Sequence, residues 1–273
     1  MKTKAEVNQK FPTFWQAALL ILGLILIEYF VLAFLMDLFQ LSRSESIRVW
    51  GLAALIGNAF VFNTLLNYKK LTYGNLFHNS TNSLSATVGL LILPIAMIVP
   101  ALFLTDIALM SVVEALFPMS KAQELMFEGM MSKDVGTVIM VCILAPFLEE
   151  MLFRGIILRS FIKQYSTRNA ILLSSLLFGA AHLNLYQFVG ATCMGLVLGW
   201  IYVRTHSIWP CIILHAFYNI SCVLFSSLME NGKTDYAIEL PISVWMAAFT
   251  LAFFGATALR HILLEKRVLV ENK

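Results

Sequence analysis

Residues 135–158 decide the fold class; they read Val-Gly-Thr-Val-Ile-Met-Val-Cys-Ile-Leu-Ala-Pro-Phe-Leu-Glu-Glu-Met-Leu-Phe-Arg-Gly-Ile-Ile-Leu. An apolar run of about 18 or more residues is typical of a transmembrane helix. This run nevertheless contains three ionisable side chains, Glu149, Glu150 and Arg154. An ionised side chain at the centre of a bilayer costs about 2.5–3.5 kcal/mol on insertion scales and usually has a function. The stretch therefore predicts a membrane helix that carries a polar site.

The rest of the chain has the same apolar character. Of 273 residues, 59% are hydrophobic and only 13% are charged, whereas soluble domains carry about 25% charged residues. We predict an all-α, polytopic membrane protein with about eight transmembrane helices, forming one membrane-embedded domain over residues 1–273. The eight predicted spans are Phe14–Met36, Trp50–Leu66, Leu84–Thr105, Val135–Leu158, Ala170–Leu183, Phe188–Val203, Ser207–Met229 and Ile242–Leu259.

Two of these spans are short. The fifth and sixth are joined only by residues 184–187, so we expect a tight hairpin that is largely surrounded by protein, because lipid contact demands spans of about 20 residues. Between the third and fourth spans, the segment Lys121–Met131 is too polar to cross a membrane but has an apolar side. It is predicted to form a short interfacial helix.

Charged residues between the spans predict the orientation. Cytoplasmic loops of membrane proteins are enriched in Lys and Arg, and these residues alternate with neutral or acidic connections. Both termini are therefore expected in the cytoplasm. The net charge of +3 forms no basic face, so no nucleic-acid partner is expected; the partners are the bilayer and a membrane-associated substrate. The basic flanks are Lys2, Lys4, Lys10, Lys69, Lys70, Arg159, Lys163, Arg168, Arg260, Lys266 and Arg267, and the acidic connections contain Glu124, Glu128, Asp134, Glu230, Asp235 and Glu239.

The two acids of the fourth span have different surroundings. Glu150 and Arg154 are spaced i, i+4 and face each other on a helix, while Glu149 points about 100° away. We expect Glu150 and Arg154 to neutralise each other and to order the helix, leaving Glu149 unpaired. The alternative is that all three side chains only join helices.

Two further motifs place imidazole and amide groups in later spans. Phe178 and His182 are spaced i, i+4 in the fifth span, and His215 and Asn219 have the same spacing in the seventh. A single histidine in a membrane helix often serves only as a hydrogen-bonding contact between helices. Two histidines, an asparagine and a free glutamate on three spans indicate a site, with residues 135–229 as its catalytic core.

The chemistry of this set favours hydrolysis by activated water. A carboxylate in an apolar environment holds a proton more readily than one in water, which suits Glu149 to act as a general base. His182 can hold the water, and His215 and Asn219 can donate hydrogen bonds to the oxyanion that forms at a peptide carbonyl. No nucleophilic side chain is required.

The three motifs together resemble a known family. Glu-Glu-x-x-x-Arg at Glu149–Arg154, Phe-x-x-x-His at Phe178–His182 and His-x-x-x-Asn at His215–Asn219 are similar to the CAAX-processing and bacteriocin-processing peptidases, also called the CPBP or Abi family. The resemblance implies an eight-helix membrane endopeptidase, like the CAAX prenyl proteases, with Glu149, His182, His215 and Asn219 as catalytic residues. It implies a CAAX-type, leader-peptide or bacteriocin substrate, without indicating which of the three.

Several alternatives stay open. Members of the family have been described both as metallopeptidases and as glutamate-dependent enzymes; zinc is possible through Glu149, His182 and His215, but no His-Glu-x-x-His helix is present, and we favour no metal cofactor. Intramembrane acids and histidines also mark proton-coupled transporters. A third reading is a non-enzymatic scaffold or immunity protein. Glu28, in the first span, either packs between helices or lines a cavity.

Overall fold

The computed structural model describes residues 10–41, 47–131, 134–228 and 240–271, and this part of the chain consists of helices and their connections, without a sheet. The prediction of an all-α, polytopic membrane protein is confirmed. In chain order the helices are α1 Phe14–Leu38, α2 Ile47–Lys69, α3 Tyr73–Phe77, α4 Leu84–Leu116, α5 Lys121–Met130, α6 Val135–Phe161, α7 Thr167–Ala180, α8 Leu185–Thr205, α9 Trp209–Leu228 and α10 Ile242–Glu271.

Seven of the described helices are long and apolar enough to cross a membrane, namely α1, α2, α4, α6, α8, α9 and α10. The predicted fifth span corresponds to α7, which has only 14 residues. At 1.5 Å per residue it measures about 21 Å, shorter than the roughly 30 Å hydrocarbon core. This agrees with the expectation of a short helix in that position.

The predicted hairpin of two short spans is half right. The connection between α7 and α8 is as tight as expected, but α8 has 21 residues and can span the membrane by itself. It starts earlier than predicted because Asn184 caps it, its side-chain oxygen accepting a hydrogen bond from the Gln187 N–H at 2.8 Å. An N-cap of this kind satisfies an amide that the first helical turn leaves free.

α4 lies at the centre of the bundle and differs most from its prediction. It runs for 33 residues, to Leu116 instead of Thr105, and contains both Pro94 and Pro100. It packs against α8, α9 and α10. At Gly255 of α10 an added Cβ would stand 2.7 Å from the Pro94 carbonyl oxygen, so α10 approaches the backbone of α4 closely. The extra length of α4 places residues beyond the predicted span inside the bundle.

Small residues also let α7 and α8 pack closely. A Cβ at Gly195 of α8 would stand 2.9 Å from Ser175 Cβ, and one at Gly199 would stand 3.0 Å from Ile171. Small residues at such positions are typical of membrane helix pairs, whose association depends on van der Waals contact and not on exclusion of water. The close pairing holds α7 against α8, and α7 leads into the segment with His182.

The outer surface agrees with a membrane protein, and the segment between the third and fourth predicted spans is helical as expected. Large apolar side chains such as Trp15, Phe30 and Phe253 are exposed on α1 and α10. The predicted interfacial segment forms α5, with Ser120 as its N-cap. The flanking charges Lys2, Lys4, Glu230, Asp235 and Glu239 and the span end Met229 lie outside the described residues, as do the side chains of Lys266 and Arg267.

Candidate active site

The expected pair of Glu150 and Arg154 is present at the centre of the bundle. Arg154 Nη1 donates to Glu150 Oε1 at 2.9 Å, and the two side chains are 1% and 0% exposed. The guanidinium also lies over the Phe178 ring, 4.6 Å from its centroid, and Nη2 reaches the Gly195 carbonyl oxygen of α8 at 3.4 Å. One buried arginine therefore connects α6, α7 and α8.

α6 is an α-helix over Ala145–Glu150, flanked by π-helical turns over Met140–Leu144 and Met151–Leu158. Pro146 has no N–H to donate to the carbonyl of Cys142, and the first π turn lies at this place. π-turns inside helices occur frequently at functional sites. The two glutamates thus stand on a short α-helical segment between two widened turns.

His215 of α9 lies between the two glutamates. Its Nδ1 is 3.0 Å from Glu150 Oε1 and its Nε2 is 3.8 Å from Glu149 Oε2. Glu150 Oε1 accepts a hydrogen bond from Arg154 and therefore acts as an acceptor toward His215 as well. We infer that Nδ1 of His215 carries the proton that faces Glu150. A carboxylate that accepts from one ring nitrogen fixes the ring and directs the other nitrogen at the site. His215 Nε2 consequently faces Glu149.

Glu149 is the acid that does not pair with Arg154, and it faces His215 Nε2 at 3.8 Å. Its side chain is 32% exposed, while its Oε2 atom is buried and makes no hydrogen bond within the part of the chain that the structure describes. A buried carboxylate oxygen without a partner is costly unless a water or a substrate group reaches it. A single water molecule between Glu149 Oε2 and His215 Nε2 could form a hydrogen bond with each of these two atoms.

His182 lies close to the site but not on a helix. α7 ends at Ala180, and His182 is in the following turn, so the prediction that it continues the helix is wrong. The N–H of His182 bonds to the Gly179 carbonyl and Leu183 takes a positive φ of 56°, as expected where the chain turns into α8. Its predicted proximity to Phe178 is confirmed: Nδ1 is 3.0 Å from the Phe178 carbonyl oxygen, and the two rings meet edge-on.

Phe178 joins the two histidines. Its ring centroid is 5.4 Å from that of His182 and 5.7 Å from that of His215, both in edge-to-face contact. His182 contacts the end of its own helix through the Phe178 carbonyl, whereas His215 is the histidine that stands next to Glu149. The structure thus places the predicted support residue Phe178 at the centre of the motif set.

Asn219 contacts α6 nearer to the N-terminal end of that helix. Its Nδ2 donates to the Val141 carbonyl oxygen at 2.7 Å, within the first π-helical stretch. A primary amide has two N–H donors, so one remains for another acceptor. This hydrogen bond fixes α9 against α6 one helical turn from His215.

The possible zinc set of Glu149, His182 and His215 does not come together as ligands. Among the residues that the structure describes, no group of three His, Cys, Asp or Glu side chains is close enough to hold a metal ion. His215 Nδ1 is directed at Glu150 and His182 Nδ1 at a backbone carbonyl. Nδ1 contacts of this kind also accompany zinc-binding histidines, so it is the spacing of the three side chains, and not these contacts, that disfavours a three-ligand site.

Two polar contacts at the edge of the site involve residues outside the three motifs, and the first decides between the two alternatives for Glu28. Asn58 of α2 donates to Glu28 of α1 at 2.6 Å, which shows that Glu28 joins two helices. Tyr218, next to Asn219, donates its hydroxyl proton to Asp106 of α4. Asp106 directly follows the predicted end of the third span, and the apolar residues after it were the signal that the helix continues.

Comparisons with known proteins agree with the resemblance suggested by the motifs. Residues 131–221 match the family described as "Type II CAAX prenyl endopeptidase Rce1-like". A Bacillus subtilis (strain 168) protein named "Putative membrane peptidase YdiL" is 34% identical over 87 residues, which cover 32% of this chain and 36% of that protein. No solved structure matches. The predicted resemblance is confirmed over this segment, from the end of α5 to α9.

Proposed function

We propose that this protein is an intramembrane endopeptidase that hydrolyses a peptide bond of a membrane-associated substrate with a water molecule activated by Glu149. The observation that carries the proposal is the partly exposed Glu149, whose Oε2 makes no hydrogen bond among the described residues and lies 3.8 Å from His215 Nε2. The neighbouring Glu150 is completely buried and bonded to Arg154. The family match over residues 131–221 supports the same reaction class.

In the proposed reaction, Glu149 removes a proton from the water as its oxygen attacks the peptide carbonyl carbon. The carbonyl oxygen becomes an oxyanion, and when the C–N bond breaks, Glu149 returns the proton to the leaving amine. His215 stands beside the same space, with its ring orientation fixed through Glu150. Positioned acid–base groups of this kind contribute typically 10²–10⁴-fold to the rate.

The other motif residues take supporting roles in this proposal. The free N–H of Asn219 and, when the ring is protonated, Nε2–H of His215 donate to the oxyanion, in a site where water is largely excluded and such hydrogen bonds are strong. His182 completes the site across the Phe178 ring and helps to hold the water. The chain's own residues supply the acid, the base and the hydrogen-bond donors, so no step needs a metal.

For the substrate we propose a peptide whose cleavage site lies at or in the membrane. The matched family is described as a CAAX prenyl endopeptidase, which makes a prenylated C-terminal CAAX peptide the first candidate. A leader or bacteriocin precursor is the second. Both bring a scissile bond to the bilayer, where the site residues of α6 and α9 lie.

The test is cleavage in proteoliposomes that contain the purified protein and either a farnesylated CAAX peptide or a hydrophobic leader peptide. Wild type should cleave at least one of them. Glu149→Gln should cleave neither, because the amide cannot take the proton. Glu128→Gln, an isosteric control at an exposed position of α5, should match the wild type.

Two other functions are outcomes of the same experiment. If wild type cleaves no peptide but moves protons in a manner that Glu149→Gln abolishes, the protein is a proton-coupled transporter. If Glu149→Gln changes neither activity, the motif is structural, as in a scaffold or an immunity protein.

A further inference from the structure

A second polar junction lies one helical turn from the proposed active site. Tyr218 of α9 donates its hydroxyl proton to Asp106 of α4. Asp106 lies inside α4, a helix that can span the membrane. Hydrogen bonds between polar side chains join membrane helices, and an acid in such a helix usually faces the protein interior. The bond is not part of the three motifs of the site.

The carboxylate of Asp106 also contacts a third helix. At Gly190 of α8, an added Cβ would stand 2.0 Å from Asp106 Oδ1. The acid therefore lies directly against the backbone of α8 and fits only because residue 190 has no side chain. Asp106 is thus the meeting point of α4, α8 and α9, which together form a small cleft at this place.

The surroundings fix Tyr218 from several sides. Its ring packs edge-on against Phe103 of α4, with centroids 6.4 Å apart, while its hydroxyl bonds to Asp106. A side chain with this many contacts has little freedom to rotate. Because Tyr218 is rigidly attached to α9, its bond to Asp106 fixes the rotation of that helix about its axis.

The rotation of α9 decides the geometry of the site. Asn219 follows Tyr218 directly, and His215 precedes it by three residues on the same helix. On an α-helix a small rotation moves all side chains of a turn together. His215 Nε2 must face Glu149 while Asn219 reaches the Val141 carbonyl, and both contacts require one orientation of α9.

We propose that Asp106 and Tyr218 form a positioning pair, which locks α9 against α4 and α8 so that His215 and Asn219 face the glutamates of α6. The kinetic consequence of this pair rests on the proposed peptidase function. Neither residue touches the reacting atoms, so the expected effect is on the rate of the chemical step. A displacement of about 1 Å at a catalytic group costs on the order of 10²-fold.

The kinetic test uses reconstituted protein and the cleaved peptide found for wild type. Tyr218→Phe and Asp106→Leu should each lower kcat by about 10- to 100-fold with little change in KM. The double variant should be no slower than the slower single variant, because both remove the same bond. Asp106→Asn should keep most of the rate, since its amide oxygen still accepts the Tyr218 proton.

The matched control is Tyr186→Phe. The hydroxyl of Tyr186 donates to the Phe117 carbonyl at 2.6 Å, so this variant also removes a tyrosine hydrogen bond between α8 and the end of α4. It does not touch α9 and should keep the wild-type kcat. Wild-type kcat in Tyr218→Phe, or an equal loss of kcat in Tyr186→Phe, would overturn the positioning role.

A second measurement is independent of catalysis. The rate at which a maleimide modifies Cys222 should rise in Tyr218→Phe and in Asp106→Leu, and stay unchanged in Tyr186→Phe, when Cys222 is the only cysteine that is kept. An unchanged rate in the first two variants would show that the bond does not fix α9. If wild type cleaves no peptide, the proposed function fails. The labelling rate of Cys222 still shows whether the bond between Asp106 and Tyr218 fixes the orientation of α9.

Discussion

The individual side chains of the site divide into those that neutralise each other and those left for chemistry. Arg154 and Glu150 are almost completely buried and bonded to each other at 2.9 Å, and Glu150 also accepts from His215. The side chain of Glu149, one residue away, is 32% exposed, whereas that of Glu150 is 0% exposed. Two adjacent acids of the same type thus have different roles because only one of them faces the arginine.

The first prediction concerns that ion pair. Arg154→Met should lower the free energy of unfolding by about 3–5 kcal/mol, because it leaves the charge of Glu150 buried without its partner. Thermal unfolding in detergent micelles measures the loss. Arg154→Met combined with Glu150→Gln should recover part of the stability, since the buried charge is then gone. A single variant as stable as the wild type would contradict a neutralising role.

At the scale of the helices, the approach of α7 to α8 determines where His182 lies. A Cβ at Gly179 would stand 2.3 Å from Thr192 Oγ1 and 2.6 Å from the Phe188 carbonyl oxygen. A backbone atom cannot rotate away as a side chain can. The helices must therefore separate if residue 179 acquires a side chain, and His182 follows Gly179 by three residues.

The second prediction uses this contact. Gly179→Ala should lower stability by about 1–3 kcal/mol, a typical cost of overpacking, and should reduce peptide cleavage because the His182 turn moves. Gly89→Ala in α4 is the control, since nothing lies within 4 Å of its added Cβ. Melting temperatures and cleavage rates of both variants are compared. Equal behaviour of the two variants would contradict the close packing of α7 and α8.

The sequence predicted the helices, and the contacts between residues of one motif, better than the contacts between different helices. Helical spacing was sufficient for Glu150 and Arg154, which are four residues apart on one helix. The approach of His215 to both glutamates depends on how α9 packs against α6, and hydrophobic periodicity carries no information about that. Asp106 was missed because it follows the predicted end of its span, although the helix continues for ten further residues to Leu116.

At the scale of the whole molecule, the topology depends on α7. Seven described helices are long enough to span the membrane, and an odd number of crossings would put the termini on opposite sides. The loop charges predict that both termini are cytoplasmic, which requires α7 to act as an eighth crossing. A 14-residue helix can do so where it is surrounded by protein, because it then need not match the bilayer thickness.

The third prediction is therefore that the two termini lie on the same side. In sealed cells or vesicles, single cysteines placed at each end of a cysteine-free variant should both be protected from a membrane-impermeant maleimide added outside. A cysteine in the connection between α4 and α5 should be labelled and serves as the control. Labelling of one terminus alone would show that α7 does not cross.

The fourth prediction concerns metal dependence. Because His182, His215 and Glu149 do not form a three-ligand set in the described part of the chain, purified protein dialysed against a zinc chelator should keep its cleavage rate. The metal content is measured on the same sample. A loss of activity that added zinc restores would contradict the metal-free proposal.

The central claim is that Glu149, and not its neighbour, activates the water. The most direct measurement is the kcat of reconstituted Glu149→Gln together with its melting temperature, compared with Glu150→Gln. We predict that Glu149→Gln lowers kcat by about 10²–10⁴-fold at an unchanged melting temperature, whereas Glu150→Gln, which weakens the bonds to Arg154 and His215, also lowers the melting temperature. Wild-type kcat in well-folded Glu149→Gln would contradict the account.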